Sequence, residues 1–302
     1  MPPKQPNPLT EFSLLALLAL LWGSSYTFIK IAVAEIPPFT LIATRVTIAA
    51  ALLLLITHWR GEKLPRDQKT WKMLFIQAIF NSIGAWTILV WGQQYIDSGL
   101  ASGLNSTSPI FVFFITLFVT RHEQINSLKL LGSCIGVLGV ILIVGVESLN
   151  GLASQFLGQI AALTGAFLYA CGAIYGKKFN HLSGTITATG TMLWATICLV
   201  PLSLIIDKPW TLNPSLNAIF ATLILSTLCT GGALIIYFRL IKTLGSMGVA
   251  SQAYLRAGIG IILGVIFLGE KITLLMGCGL FAVIIGVIFI NMPSKNQRNE
   301  DS

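Results

Sequence analysis

Arg256 is the residue of this sequence whose type and position most directly suggest chemistry. It stands inside the apolar run 249–268, about 10 Å from one end if that run is helical. A charge at that depth in a membrane costs at least about 2.5 kcal/mol, so it usually faces a cavity or a partner. We predict that Arg256 binds a carboxylate or another anionic group of a substrate. The structural alternative is an arginine that bonds helix carbonyls or extends to the membrane interface.

A second arginine, Arg45, lies inside the second apolar run, after the turn at Pro37 and Pro38. It stands about 10 Å from the outer end of that run. For this residue the structural interpretation is favoured, in which the guanidinium caps helix carbonyls or extends outward to the interface.

Uncharged polar and aromatic side chains at a similar depth are suited to completing a site for a small polar solute. Asn105 and Gln252 occupy equivalent positions when the chain is shifted by 147 residues, so their amides should approach the midplane from opposite sides. Hydrogen bonding between helices is the alternative for the amides, and core filling is the alternative for the rings. The predicted substrate-binding residues are Arg256, Gln252, Asn105, Tyr254, Trp22, Ser25 and Asn81.

The motifs of hydrolases and metal sites are absent from the sequence. It contains no HExxH or GxSxG pattern, and none of its five cysteines forms a CxxC pair. We therefore predict no cofactor, no metal and no enzymatic activity. The eleven Asp and Glu residues lie in predicted tails, loops or helix ends, so no acid is expected to be buried. This pattern favours facilitated diffusion or exchange over proton symport through a buried carboxylate.

These residues must be positioned by membrane-spanning helices. Of the 302 residues, 55% are hydrophobic and 10% are charged, against about 25% charged in soluble domains. Ten apolar runs are each long enough for a span of roughly 20 residues. They lie at 13–35, 39–58, 73–95, 101–120, 128–146, 157–176, 185–206, 216–238, 248–268 and 273–292. The sequence therefore predicts an all-α integral membrane protein with ten transmembrane helices.

The net charge of +8 arises mainly in the short connections between the runs. When both termini are placed in the cytoplasm, most Lys and Arg residues of these connections also lie in the cytoplasm, as the positive-inside rule requires. The charge thus sets the orientation, the lipid bilayer is the expected surrounding, and nucleic acid is not an expected partner. The predicted location is a bacterial plasma membrane.

The chain contains an internal repeat. A shift of 147 residues superposes Trp22 on Tyr169, and the pattern E-x8-G-x6-G at 123–139 on the same pattern at 270–286. Each half then has five helices, an odd number, so the second half enters the membrane inverted, as in many transporters. The predicted divisions are a tail at 1–11, a repeat at 12–146, a connection at 147–158, an inverted repeat at 159–293 and a tail at 294–302.

These landmarks resemble those of the EamA family in the drug/metabolite transporter superfamily. The resemblance implies a ten-helix permease with a central cavity lined by helices 1–4 and 6–9, and with helices 5 and 10 at the periphery. One position departs from the family pattern, because Arg256 aligns with Pro109 in the repeat, where the family often has proline. The resemblance rests on WGSS at 22–25 with Phe28, on Arg45, on Pro109 with Glu123 and Gly132, and on Leu268-Gly269-Glu270 with Gly279.

The combined expectation is a permease that moves small organic metabolites by alternating access. Amino acids or related carboxylates are the first choice because of Arg256 and the mid-span amides, and the family resemblance favours export. The alternatives are an exporter of lipophilic or cationic drugs, a channel, a membrane scaffold and an intramembrane enzyme. Glycines spaced along helices 5 and 10 favour close packing, either as a scaffold or as the contact of a homodimer.

Overall fold

The computed structural model describes residues 8–120, 127–148, 153–237, 239–240 and 252–291. These residues form helices joined by short connections, and no strand occurs among them. In chain order the helices are α1 (Pro8–Val33), α2 (Pro38–Trp59), α3 (Gln68–Gly92), α4 (Ser98–Phe118), α5 (Ser127–Ser148), α6 (Ala153–Gly176), α7 (Gly184–Asp207), α8 (Leu216–Tyr237), α9 (Gln252–Leu268) and α10 (Leu274–Asn291).

The helices follow the apolar runs of the sequence. Within the described residues, seven helices, α1–α4 and α6–α8, are long and apolar enough to cross a membrane, and shorter apolar stretches lie in α5, α9 and α10. Helix α1 begins at Pro8, inside the predicted N-terminal tail, and its first turns include the buried Glu11. The predicted start of the ninth run, at 248, lies outside the described residues.

The packing of the helices is matched between the two halves of the chain. Helix α1 packs against α8 and α9, and α6 packs in the same relation against α3 and α4. Helix α2 packs against α7, and α5 contacts mainly α10. Helix α4 also packs against α9 and α1.

Helices α3 and α8 carry π-helical segments at matching places. The segment Ile79–Trp86 lies within α3, and the segment Thr227–Gly232 lies within α8. The shift of 147 residues superposes the two segments almost completely. A π-helical turn widens the helix and redirects its side chains, and such turns are frequent at functional sites.

Glycines bring the backbones of α5 and α10 into contact. A methyl group on Gly286 would lie 2.5 Å from the Gly132 oxygen and 2.6 Å from the Gly136 nitrogen. A methyl group on Gly139 would lie 2.6 Å from the Gly279 oxygen. The predicted close packing of these glycines therefore occurs within the chain. A homodimer through the outer faces of α5 and α10 stays a prediction.

We expect Gly286→Ala to destabilise the protein. The added methyl group meets backbone atoms, which cannot move aside independently, so the two helices must separate at a cost of about 1–3 kcal/mol. Thermal unfolding in detergent measures the effect as a lower midpoint. Gly277→Ala on the same helix is the matched control, because its nearest neighbour would lie 3.9 Å away. Equal midpoints for the two variants would contradict the backbone contact.

Candidate functional site

Arg45 of α2 is buried at the centre of the helices, with 5% of its surface exposed. Its Nε donates a hydrogen bond to the Thr230 hydroxyl over 2.8 Å, and its guanidinium carbon lies 4.1 Å from the centre of the Trp86 ring. The π-helical segments of α8 and α3 supply these two partners. Arg45 does not extend to the interface, and it bonds no described backbone carbonyl. The described partners of Arg45 are thus a hydroxyl and an aromatic ring instead of a helix carbonyl, and its structural role stays a prediction.

Tyr169 of α6 connects Arg45 to the other residues of the centre. Its hydroxyl interacts with the side chain of Trp86 and lies within electrostatic range of Tyr26, Arg45 and Arg256. These five residues come from α1, α2, α3, α6 and α9. Both halves of the chain therefore contribute to one cluster, which we call the central cluster; Arg45 and Tyr26 are buried in it, and the other three residues are half-buried.

Asn105 extends the central cluster to α4. Its Nδ2 donates a hydrogen bond to the Tyr26 hydroxyl over 2.6 Å, whereas its Oδ1 is buried without a partner among the described residues. The first helical segment of α4 ends at Asn105, and the helix resumes at Ser108. Pro109 explains the break, since proline offers no backbone N–H to the preceding turn. Asn105 thus lies at a helix interruption with an unused acceptor.

Arg256 lies where α9 packs against α1. Its Nε is buried and has no hydrogen-bond partner among the described residues. A side chain at Gly23 of α1 would lie 3.0 Å from the Arg256 carbonyl oxygen. The adjacent residue Ser24 has its Oγ 3.7 Å from the Sγ of Cys229, which is itself within electrostatic range of Arg45. The backbone of Arg256 therefore contacts α1 at Gly23, one residue before Ser24.

The remaining predicted residues of α1 lie beside the central cluster. The Ser25 hydroxyl donates to the Leu21 carbonyl of its own helix over 3.0 Å. Trp22 packs against Tyr237 of α8, with ring centres 5.3 Å apart. The structure thus uses Ser25 within the helix and Trp22 at the contact between α1 and α8.

Asn81 lies in the π-helical segment of α3 and faces Gly172 of α6. It is half-buried and belongs to the helix contact that borders the centre. Gln252 and Tyr254 lie in α9, but their side chains are outside the part of the chain that the structure describes. Of the predicted set, Arg256 and Asn105 belong to the central cluster, and their role in substrate binding stays a prediction.

Sequence reasoning missed several members of the central cluster. Trp86 is one of several mid-span rings for which core filling is the alternative, Tyr26 has no distinguishing neighbour, and Thr230 is one of many hydroxyl residues in apolar runs. The sequence did contain an indication for Tyr169, because the repeat superposes this residue on Trp22, a predicted site residue. The equivalence of Trp22 and Tyr169 in the two repeats indicates that both residues could belong to the site.

Acidic side chains hold the helix ends instead of the centre. The hydrogen bonds from the Ser215 backbone and side chain lower the pKa of Glu35. Among the described residues, no carboxylate bonds to Arg45 or Arg256. Hydrogen bonds reach Glu35 from Ser215, Glu62 from Ser183, Asp67 from Thr70 and Asp207 from Thr40.

Glu11 is buried, which corrects the expectation that no acidic residue is buried. It is 2% exposed, and its Oε1 lies 3.0 Å from Nη2 of Arg239. This ion pair joins the first turns of α1 to the residues that follow α8. Glu11 and Gly23 are twelve residues apart on α1, so the Glu11 carboxylate does not belong to the central cluster.

The connection between α3 and α4 is held from two sides, and we call this arrangement the end clamp. Lys30 of α1 donates to the carbonyls of Gln93 and Ile96 over 2.9 and 2.7 Å. Glu270, after α9, accepts hydrogen bonds from the backbone N–H groups of Ser98 and Gly99 over 2.6 and 2.9 Å. Two elements distant in sequence thus fix the start of α4.

Asp97 is the third charged group at this end of the molecule. Burial of its carboxyl group raises the pKa of Asp97, nearby Glu270 raises it further, and Lys30 opposes both effects. A shallow pocket opens beside it and is lined in part by Asp97, Glu270 and Lys271. The end clamp therefore lies beside a surface pocket whose lining combines these charged groups with apolar residues such as Leu100 and Ile272.

Comparison with known proteins identifies the class to which this arrangement belongs. The family model of the EamA-like transporter family matches residues 10–145 and again residues 156–292. The inner membrane transporter YedA of Escherichia coli K12 is 28% identical over 93% of this chain and 90% of its own. A solved crystal structure with 14% identity has the same fold, with a TM-score of 0.67 over 94% of this chain and 98% of that one.

The chain is a multi-pass membrane transporter, as its apolar helices and these relatives indicate. It belongs to the EamA-like transporter family, which confirms the resemblance seen in the sequence. A further relative, named a probable amino-acid metabolite efflux pump of Escherichia coli K12, is 26% identical over 91% of this chain and 92% of its own.

Proposed function

We propose that the protein is a ten-helix permease that moves small carboxylate-bearing metabolites, amino acids or related acids, by alternating access. Its halves, 12–146 and 159–293, form two inverted five-helix repeats, and both termini lie on the cytoplasmic side of the plasma membrane. The two family matches and the matched packing of α1 with α8 and α9, and of α6 with α3 and α4, support this layout. The distribution of Lys and Arg supports the orientation.

The observation that carries the substrate class is a pair of guanidinium groups without a described acidic partner. Arg45 and Arg256 both lie within electrostatic range of Tyr169. Arginine donates paired hydrogen bonds in a geometry that fits a carboxylate. The relative named as an amino-acid metabolite efflux pump supports both the substrate class and the direction of export.

Counterflow in proteoliposomes tests this proposal. Liposomes that contain the purified protein and unlabelled solute receive labelled amino acids, organic acids or lipophilic cations outside. We expect exchange of at least one carboxylate-bearing solute above the level of protein-free liposomes. Exchange of lipophilic cations alone would favour a drug exporter and contradict the carboxylate assignment. No exchange of any solute by protein with a normal unfolding midpoint would contradict the permease.

Alternating access requires a contact that closes one side of the site and can open, and the end clamp is suited to this role. In the proposed orientation it lies on the outer side. Beneath it, α4 and α9 are in close contact, since a methyl group on Gly260 would lie 2.7 Å from the Ser102 Cβ. Opening toward the outside must separate α4 from α9, and therefore must release Glu270 from Ser98 and Gly99.

We expect Glu270→Gln to favour the outward-open state. A carboxylate accepts a bond from each of the two N–H groups, whereas an amide offers one oxygen and leaves the other N–H unpaired, a loss of about 1–3 kcal/mol. A cysteine at the buried position 102, in a background without other cysteines, should react with an impermeant thiol reagent from outside about 5- to 100-fold faster. Glu35→Gln is the matched control, since Glu35 joins a different connection, at Ser215. Equal rates in both variants would contradict the gating role.

A further inference from the structure

The two arginines of the central cluster have unused donors on separate helices. Arg45 uses Nε for Thr230, and its guanidinium carbon lies over the ring of Trp86. Its terminal N–H groups have no acceptor among the described residues. Arg256, from α9, has its buried Nε free of any described partner. The centre therefore offers two sets of N–H donors, one from each half of the chain, with Tyr169 near both.

Nothing described in the central cluster neutralises these two positive charges. Glu11 is paired with Arg239, and Glu270 is bonded at the start of α4. Buried charges are costly unless an opposite charge accompanies them. A solute with one carboxylate leaves one guanidinium unneutralised, and the ammonium group of a neutral amino acid adds a third positive charge. A dicarboxylate balances both guanidinium charges, and an acidic amino acid, despite its ammonium group, neutralises one charge more than a neutral amino acid does.

Building on the proposed transport function, we propose that the preferred substrates are small organic acids with two anionic groups, such as dicarboxylates and acidic amino acids. One acid group binds Arg45, and the other binds Arg256. The free Oδ1 of Asn105 accepts a hydrogen bond from an ammonium or hydroxyl group between the two acid groups. The Tyr169 hydroxyl lies within reach of the bound solute from α6.

Aspartate and asparagine are the sharpest pair of probes, because they have nearly the same shape and differ by one negative charge. Succinate and butyrate repeat the comparison without an ammonium group. In counterflow we expect aspartate and succinate to exchange at least tenfold faster than asparagine and butyrate at equal low concentration. Equal or faster exchange of asparagine and butyrate would overturn the requirement for two acid groups and leave the carboxylate permease intact. No exchange of any probe by folded protein would overturn both proposals.

Variants of the two arginines test the assignment of each acid group. In Arg45→Gln and in Arg256→Gln, only one guanidinium group remains to bind an acid group. We therefore expect each variant to exchange aspartate no more than about three times faster than asparagine. Arg45→Lys retains the charge and should keep part of the preference. Arg60→Gln, just after the same helix as Arg45, is the matched control and should leave the ratio unchanged. If either variant still exchanges aspartate more than tenfold faster than asparagine, the assignment of the acid groups to the two arginines is overturned. Where a variant does not fold, the comparison of aspartate with asparagine in the wild type still decides the substrate class.

Discussion

Replacement of Arg256 by glutamine is expected to reduce the exchange of carboxylate solutes about 10- to 100-fold while the protein still folds. The side chain is similar in length but has lost its charge, and a charge-assisted hydrogen bond to a substrate contributes about 1.5–3 kcal/mol. Arg256→Lys should recover part of the activity, because an ammonium group keeps the charge without the paired geometry of the guanidinium. Counterflow of the best carboxylate solute, at several concentrations, measures the loss.

The Arg256 variants also separate binding from folding. The buried Nε has no described partner, so its removal leaves no described acceptor unsatisfied. The unfolding midpoint of Arg256→Gln should therefore equal or exceed that of the wild type. If both Arg256→Gln and Arg256→Lys transport like the wild type, the substrate does not bind at this residue. A lower midpoint with unchanged transport would instead indicate an arginine that stabilises α9.

The positions of the helices followed from the sequence because the membrane imposes them. Each span needs roughly 20 apolar residues, and this requirement leaves long runs that are visible without any structure. Arg256 and Asn105 were selected as candidates for the same reason, since a charge or an amide is conspicuous in such a run. The bounds were less accurate at α1, which begins at Pro8 and includes Glu11, the partner of Arg239.

The partners of Arg45 could not be predicted from the sequence. Thr230 is 185 residues away, and neither it nor Trp86 differs in type from other residues of the apolar runs. Both are placed by π-helical segments, in which the hydrogen bonds shift by one residue without a matching change in composition. The matched location of these segments in α3 and α8 became visible only in the structure. Arg45 therefore joins the central cluster through contacts that the sequence does not reveal.

Trp86 is the residue that we expect to position Arg45 for substrate binding. The indole face lies 4.1 Å from the guanidinium carbon, and a cation–π contact of this kind contributes about 0.5–2 kcal/mol. Trp86→Leu removes the aromatic face and should raise the KM for carboxylate solutes about 3- to 30-fold, with a smaller change in the maximal rate. Trp86→Phe keeps an aromatic face and should recover most of the affinity.

Two comparisons distinguish this positioning role from general packing. Trp194 is also a mid-span tryptophan, but it packs on Phe75 and donates its indole N–H to the Trp71 carbonyl, away from both arginines. Trp194→Leu should therefore lower the unfolding midpoint and leave the KM of the folded fraction unchanged. Thr230→Val removes the hydroxyl that accepts the Arg45 Nε bond and should raise the KM as Trp86→Leu does. If Trp86→Leu and Trp194→Leu alter the KM equally, Trp86 contributes packing and Arg45 does not depend on it.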